Sequence, residues 1–126
     1  MFDMRRLGTV MEEIDALREL TGDQEFEELI EVFLSYGADR VGALGLAIGR
    51  GDASGLADEA HALRGSSASL GVRELASLCA QLEVRGREGR IDGARPVYEE
   101  LVSEFDRVTG YVAQARGGVG ALAGAA

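Results

Sequence analysis

The chain has 126 residues, a mass of 13.3 kDa and a formal charge of −9, with 13 basic and 22 acidic side chains. This length suits a single domain, and 46% hydrophobic residues is a globular composition. The negative charge disfavours nucleic acid and anionic membranes as partners, because both would repel the protein. One cysteine and one histidine exclude an intramolecular disulfide and any cysteine- or histidine-rich metal site.

Neither end of the chain resembles a targeting or membrane segment. The N-terminus lacks an apolar stretch of signal-peptide length, and no run approaches the roughly 18 apolar residues that span a bilayer. We therefore expect a soluble, cytoplasmic protein. Residues 1–116 are predicted to form one helical domain, and residues 117–126, rich in glycine and alanine, a flexible tail.

Helical periodicity predicts a short first helix and a long second one. The first carries an apolar stripe from Leu7 to Leu17. Thr21 and Gln24 have the spacing of a capping box, with Asp23 as the alternative cap for the second helix. The apolar face of this second helix extends to Ile48.

The second helix contains four glycines, which are unfavourable in a helix interior by about 1 kcal/mol each. They are Gly37, Gly42, Gly45 and Gly49. Close approach of another helix would explain Gly45 and Gly49.

Three further helices follow, each with a start or stop signal. Asp52 is predicted to cap the third, and Gly71 to end it in a left-handed conformation. The fourth carries apolar residues from Val72 to Leu82 on its inner face, and residues 85–90 are predicted to form a loop. Asp92 is predicted to cap the fifth, which contains Pro96 in its first turn. Four long helices with short connections predict an all-α, antiparallel up-down four-helix bundle, with the short N-terminal helix covering one end.

The single histidine lies on the solvent side of the third helix among unusually small neighbours. Its helical neighbours are Ala57, Arg64, Gly65 and Ala68. Small side chains leave room for a macromolecule to approach the His61 ring, and the Arg64 guanidinium can neutralise phosphoryl oxygens. This pattern favours a phosphoryl acceptor, although a lone surface histidine is more often an ordinary solvated residue.

The sequence around His61 resembles the histidine-containing phosphotransfer (HPt) family. Residues 61–83 read H-A-L-R-G-S-S-A-S-L-G-V-R-E-L-A-S-L-C-A-Q-L-E. The usual pattern of the family is H-x-L-K-G-S-S-x-x-x-G, followed by L-x-x-x-C-x-x-L-E. The resemblance covers roughly residues 20–112, and it departs from the pattern at Arg64, where lysine is commoner.

The resemblance implies a role for each residue that matches the pattern. His61 would carry the phosphoryl group, Arg64 would balance its charge, and Gly65 would give the partner room. Glu83 would accept a hydrogen bond from the ring and orient it, although an ordinary surface charge is an equally open interpretation. Cys79 fits the pattern as a buried, inert side chain. We expect Ala57, Gly65 and Ala68 to contribute to docking.

The function implied is that of a phosphorelay carrier between receiver domains. The partners would be response-regulator receivers, one in a hybrid histidine kinase and one in a downstream regulator. Mg²⁺ would bind the partner's receiver, so we expect no metal or cofactor on this chain. No P-loop or kinase-type glycine motif is present, which predicts no autonomous kinase activity with ATP. We expect a monomer; the alternatives are a non-catalytic helical adaptor and a domain excised from a hybrid sensor kinase.

Overall fold

The structure, a computed structural model, describes the backbone of residues 4–125 and the side chains of residues 4–114. Five helices make up this part of the chain, and it contains no strand. They are α1 (Met4–Thr21), α2 (Asp23–Arg50), α3 (Ala53–Leu70), α4 (Arg73–Arg87) and α5 (Ala94–Ala125). The predicted all-α class is confirmed. The boundary predicted between residues 116 and 117 lies outside the side chains described and stays a prediction.

Both ends of α3 follow the sequence signals. Gly51 ends α2 with a φ of 66°, and the Asp52 carboxylate then accepts a 2.9 Å hydrogen bond from the Gly55 N–H. Gly71 ends α3 with a φ of 83°, in the left-handed region that glycine adopts without strain. These caps fix the length of the helix that carries His61.

The start of α2 differs from the prediction. Thr21 is the last residue of α1, and its hydroxyl donates to the Leu17 carbonyl at 3.0 Å instead of capping α2. Gly22, with a φ of 85°, joins the two helices: its N–H donates to the Arg18 carbonyl, and its own carbonyl accepts from the Phe26 N–H and from the Thr21 hydroxyl. The capping box and the alternative Asp23 cap are therefore wrong. At 18 residues, α1 is as long as α3 and is not a short helix.

The connection between α4 and α5 is also shorter than predicted. Because α4 continues to Arg87, residues 85–87 are helical and not part of a loop. Gly93, with a φ of 81°, precedes α5, so Asp92 is one residue too early to be its cap. The Asp92 carbonyl instead accepts a 3.0 Å hydrogen bond from Arg85.

The helices pack around one continuous apolar core. α3 lies against α2 and α4, α5 lies against α4 and α2, and α1 lies against α2 and α5. The largest fully buried side chains come from all five helices and include Ile14, Phe26, Leu44, Leu56, Leu63, Leu75, Leu82 and Leu101. An ion pair between Arg40 and Glu59 joins α2 to α3 at the surface. The described helices include none long and apolar enough to cross a bilayer.

Close approach explains some of the glycines but not all of them. A Cβ at Gly37 would lie 2.6 Å from the Phe105 ring, and one at Gly45 would lie 2.6 Å from the Tyr98 hydroxyl. The α5 rings therefore occupy the space that side chains there would fill. An added Cβ at Gly49 would meet no atom within 4 Å, so the same explanation is wrong for that residue.

A further close approach joins α3 to α4. A Cβ at Gly86 would lie 2.6 Å from both the Ala53 oxygen and the Ala57 nitrogen, which are backbone atoms that cannot move aside. The absence of a side chain at Gly86 therefore sets the separation of the two helices. Glu83 lies one turn before Gly86 and is brought against α3 by the same packing.

Candidate functional site

The His61 ring stands on an open strip of α3. Its side chain is 60% exposed, and Gly65 and Ala68, one and two turns further along, are also exposed. An added Cβ at Gly65 would meet no atom of the chain within 4 Å. No residue that the structure describes therefore covers Gly65 within the strip formed by His61, Gly65 and Ala68.

Ala57 does not belong to this strip. It is 4% exposed, and it packs against Gly86 of α4. Because α4 covers this side of α3, the prediction that Ala57 contributes to docking is wrong.

The ring is held from below by the carboxylate of Glu83. Glu83 is 7% exposed, and its Oε2 lies 3.0 Å from His61 Nδ1. Arg64 Nε donates to Glu83 Oε1 at 2.7 Å. Arg87 Nη2 and Nε donate to Oε2 at 2.6 Å and 3.1 Å. We call His61, Arg64, Glu83 and Arg87 the Glu83 cluster.

The chemistry of its neighbours decides which ring nitrogen carries the proton. His61 Nδ1 lies 3.0 Å from the Glu83 carboxylate, which can only accept, and 3.2 Å from Arg64 Nη2, which can only donate. The carboxylate is the closer group, and Arg64 already donates to it through Nε. We therefore assign the proton to Nδ1, which leaves the lone pair on Nε2, on the side of the ring away from Glu83.

Glu83 remains ionised despite its burial. Burial raises the pKa of its carboxyl, but hydrogen bonds from Arg87, Arg64 and His61 outweigh it and lower the pKa from 4.5 to about 2. A permanently charged acceptor is thus fixed beside Nδ1 at any pH near neutrality.

Comparisons with known proteins identify the family of the chain. The Hpt domain family matches residues 28–111, a range that contains the whole Glu83 cluster. The chain belongs to the Hpt domain family. The solved structure of histidine-containing phosphotransfer protein B (HptB) from Pseudomonas aeruginosa PAO1 is similar, with a TM-score of 0.73 and 30% sequence identity over 90% of this chain and 92% of that one. No curated protein sequence matches. The role of this Hpt domain is histidine phosphotransfer in a phosphorelay.

Two further side chains of the sequence pattern, Cys79 and Ser67, are buried in the core. Cys79 is fully buried, and burial raises the pKa of its thiol to about 12, so it packs as a small apolar side chain as predicted. Ser67 is also fully buried, on the core side of α3. Among the described residues, no group of three or more acidic, histidine or cysteine side chains is placed to hold a metal ion.

Sequence reasoning missed one member of the site, Arg87. The prediction of a loop over residues 85–90 removed Arg87 from the helix that carries Glu83. Its i, i+4 spacing from Glu83 would have predicted the ion pair if α4 had been continued by one turn. Arg73, another basic residue close to His61 in the sequence, pairs instead with Glu13 of α1 at 3.3 Å.

The lowered pKa of Glu83 predicts a specific pH dependence of stability. Since the folded pKa lies below the ordinary value, the stabilisation is complete above pH 4.5 and is lost as the pH falls towards 2. We expect Glu83→Gln to lower the free energy of unfolding at pH 7 by about 1–3 kcal/mol. Roughly half of this difference should disappear between pH 5 and pH 3 in urea unfolding curves.

Glu88→Gln provides the matched control, because Glu88 is 51% exposed and pairs with Arg90 at the surface. We expect it to change stability by less than about 0.5 kcal/mol. A Glu83→Gln difference that stays constant from pH 7 to pH 3 would contradict the ionisation described here.

Proposed function

We propose that His61 is the residue that carries the phosphoryl group, taking it from the aspartyl phosphate of one receiver domain and passing it to the aspartate of another. The observation that carries this proposal is the exposed ring, held through Nδ1 by Glu83 with Nε2 free. His61 is also the one histidine in the sequence, so a histidine phosphotransfer role has no other acceptor here.

The transfer requires only the ring and the groups around it. The Nε2 lone pair attacks phosphorus, and the bond from phosphorus to the aspartyl oxygen breaks with its electron pair passing to the leaving carboxylate. The Nδ1 proton stays in place, so the phosphorylated ring becomes cationic. Glu83 stabilises that charge across the 3.0 Å contact, and the reverse reaction on a second receiver restores the neutral ring.

Arg64 is the group that balances the phosphoryl charge in this proposal. Its Nη2 lies 3.2 Å from His61 Nδ1, so the 42% exposed side chain has to turn towards Nε2 to reach the phosphoryl oxygens. A guanidinium in this place can donate to phosphoryl oxygens while remaining always protonated.

The proposal also covers the docking surface, the partners, the oligomeric state and the cellular compartment. A receiver domain docks over Gly65 and Ala68, the exposed small residues beside the ring, and its own acidic site supplies the Mg²⁺. The receivers belong to a hybrid histidine kinase and to a downstream regulator, and the chain acts as a monomer in the cytoplasm.

The fold that presents the ring is, in this proposal, an antiparallel up-down four-helix bundle of α2 to α5 with α1 added outside. The support is the order of the contacts. Consecutive helices from α2 to α5 pack as neighbours, α5 returns to α2, and α1 lies against α2 and α5.

A labelling experiment tests the proposed acceptor. We expect the chain, mixed with a receiver carrying ³²P-labelled aspartyl phosphate, to gain label that is acid-labile and alkali-stable. ATP alone should give no label. Label that persists in a His61→Gln variant would exclude the proposed acceptor, and a complete absence of label on the wild-type chain would favour the adaptor alternative.

A substitution at Gly65 tests the clearance beside the ring. We expect Gly65→Gln to leave the melting temperature unchanged or slightly higher, because the Cβ it adds has open space around it and glycine is unfavourable in a helix. The phosphotransfer rate should fall by tenfold or more, because the added side chain obstructs the partner. A tenfold fall corresponds to an activation free energy raised by about 1.4 kcal/mol.

Gly110→Gln is the matched control, since Gly110 is also helical and has nothing within 4 Å of an added Cβ. It lies on α5, which packs against α1, α2 and α4. Equal loss of transfer in both variants would argue against docking over Gly65.

A further inference from the structure

The Glu83 cluster holds more positive charge than its carboxylate needs. Glu83 Oε1 accepts from Arg64, and Oε2 accepts from Arg87 through two hydrogen bonds and from His61. Two guanidinium groups thus surround one carboxylate, and the ring beside them can attack phosphorus only in its neutral form. The surplus of one positive charge lies next to the proposed phosphoryl acceptor.

Without Arg87, this surplus would vanish. A carboxylate that is only 7% exposed requires a charged partner, because an unpaired buried charge is strongly unfavourable. Arg64 would then be that partner, and its charge would be balanced by Glu83 before any phosphoryl group arrived.

The positions of the two arginines differ in a way that divides their roles. Arg87 lies on α4, one helical turn after Glu83, so their contact is made within a single helix. Arg64 lies on α3, beside the ring, and reaches both Glu83 and the ring edge. The Arg87 contact is therefore independent of any movement of the Arg64 side chain.

We propose that Arg87 is a positioning residue that neutralises Glu83 and so leaves the charge of Arg64 available to the phosphoryl group on His61. This inference rests on the proposed function and adds to it a residue outside the sequence pattern around His61. Arg87 touches neither the ring nor the phosphoryl group in this role and acts through Glu83 and Arg64.

The test is a set of variants assayed for the rate of phosphoryl transfer from a labelled receiver. We expect Arg87→Gln to lower the rate by about tenfold, the size expected for one lost charge-assisted contact. Arg87→Lys should stay within about threefold of the wild type, because it keeps the charge.

The decisive variant is Glu83→Gln combined with Arg87→Gln. Removing the carboxylate charge makes Arg87 unnecessary, and the amide oxygen of the substituted side chain can still accept from Nδ1. We therefore expect the double variant to transfer faster than Arg87→Gln alone, which a purely structural role of Arg87 would not produce.

Arg90→Gln is the matched control, because Arg90 has the same side-chain exposure of 58% and also pairs with a glutamate. It should transfer at the wild-type rate. If wild-type chain is labelled on His61 but Arg87→Gln matches Arg90→Gln, or if the double variant is no faster than Arg87→Gln, this inference is overturned while the proposed function stands. If wild-type chain takes no label, the proposed function fails and the inference fails with it.

Discussion

The contact between the Glu83 carboxylate and His61 Nδ1 is the interaction on which the site depends. It joins α3 to α4, and the missing side chain at Gly86 lets α4 lie against the backbone of α3. Burial alone would make the Glu83 carboxylate costly, so the site includes two guanidinium groups to keep it ionised. The two guanidinium groups that compensate the buried carboxylate thus also place positive charge beside the ring that is proposed to carry the phosphoryl group.

The site is placed on helices whose positions are fixed from several sides. Arg40 and Glu59 join α2 to α3, and the Tyr98 hydroxyl donates to the Val41 carbonyl, which joins α5 to α2. The ring therefore needs no loop to position it, and its exposed edge can meet a partner without rearrangement of the fold. Functional groups carried on rigid helices keep their geometry better than groups carried on loops.

Much of this arrangement is predictable from the sequence, since it depends on local signals. The helical periodicity, the Asp52 cap and the Gly71 terminus are all encoded within a few residues, and the pattern around His61 identifies the family. Contacts between helices are less accessible to such reasoning. Ala57 has the spacing of an exposed residue next to His61, yet its burial is decided by Gly86, a residue 29 positions later on α4.

The C-terminal end of α4 is a second feature that the local sequence does not predict. The glycines and arginines of residues 85–90 suggest a polar loop, and packing against α3 extends the helix to Arg87 instead. This single turn decides whether Arg87 is a loop residue or the second partner of Glu83. Tertiary packing overrides local propensity here, and the charge balance of the site follows from it.

The most direct measurement of the central claim is the position of the proton on the His61 ring. Long-range ¹⁵N–¹H correlation spectra at about pH 8.5, where an ordinary imidazole is neutral, distinguish the two tautomers. We expect a proton on Nδ1 and an unprotonated Nε2 in the wild-type chain. A proton on Nε2 would contradict the proposed site, because the nitrogen proposed to attack phosphorus would then have no free lone pair.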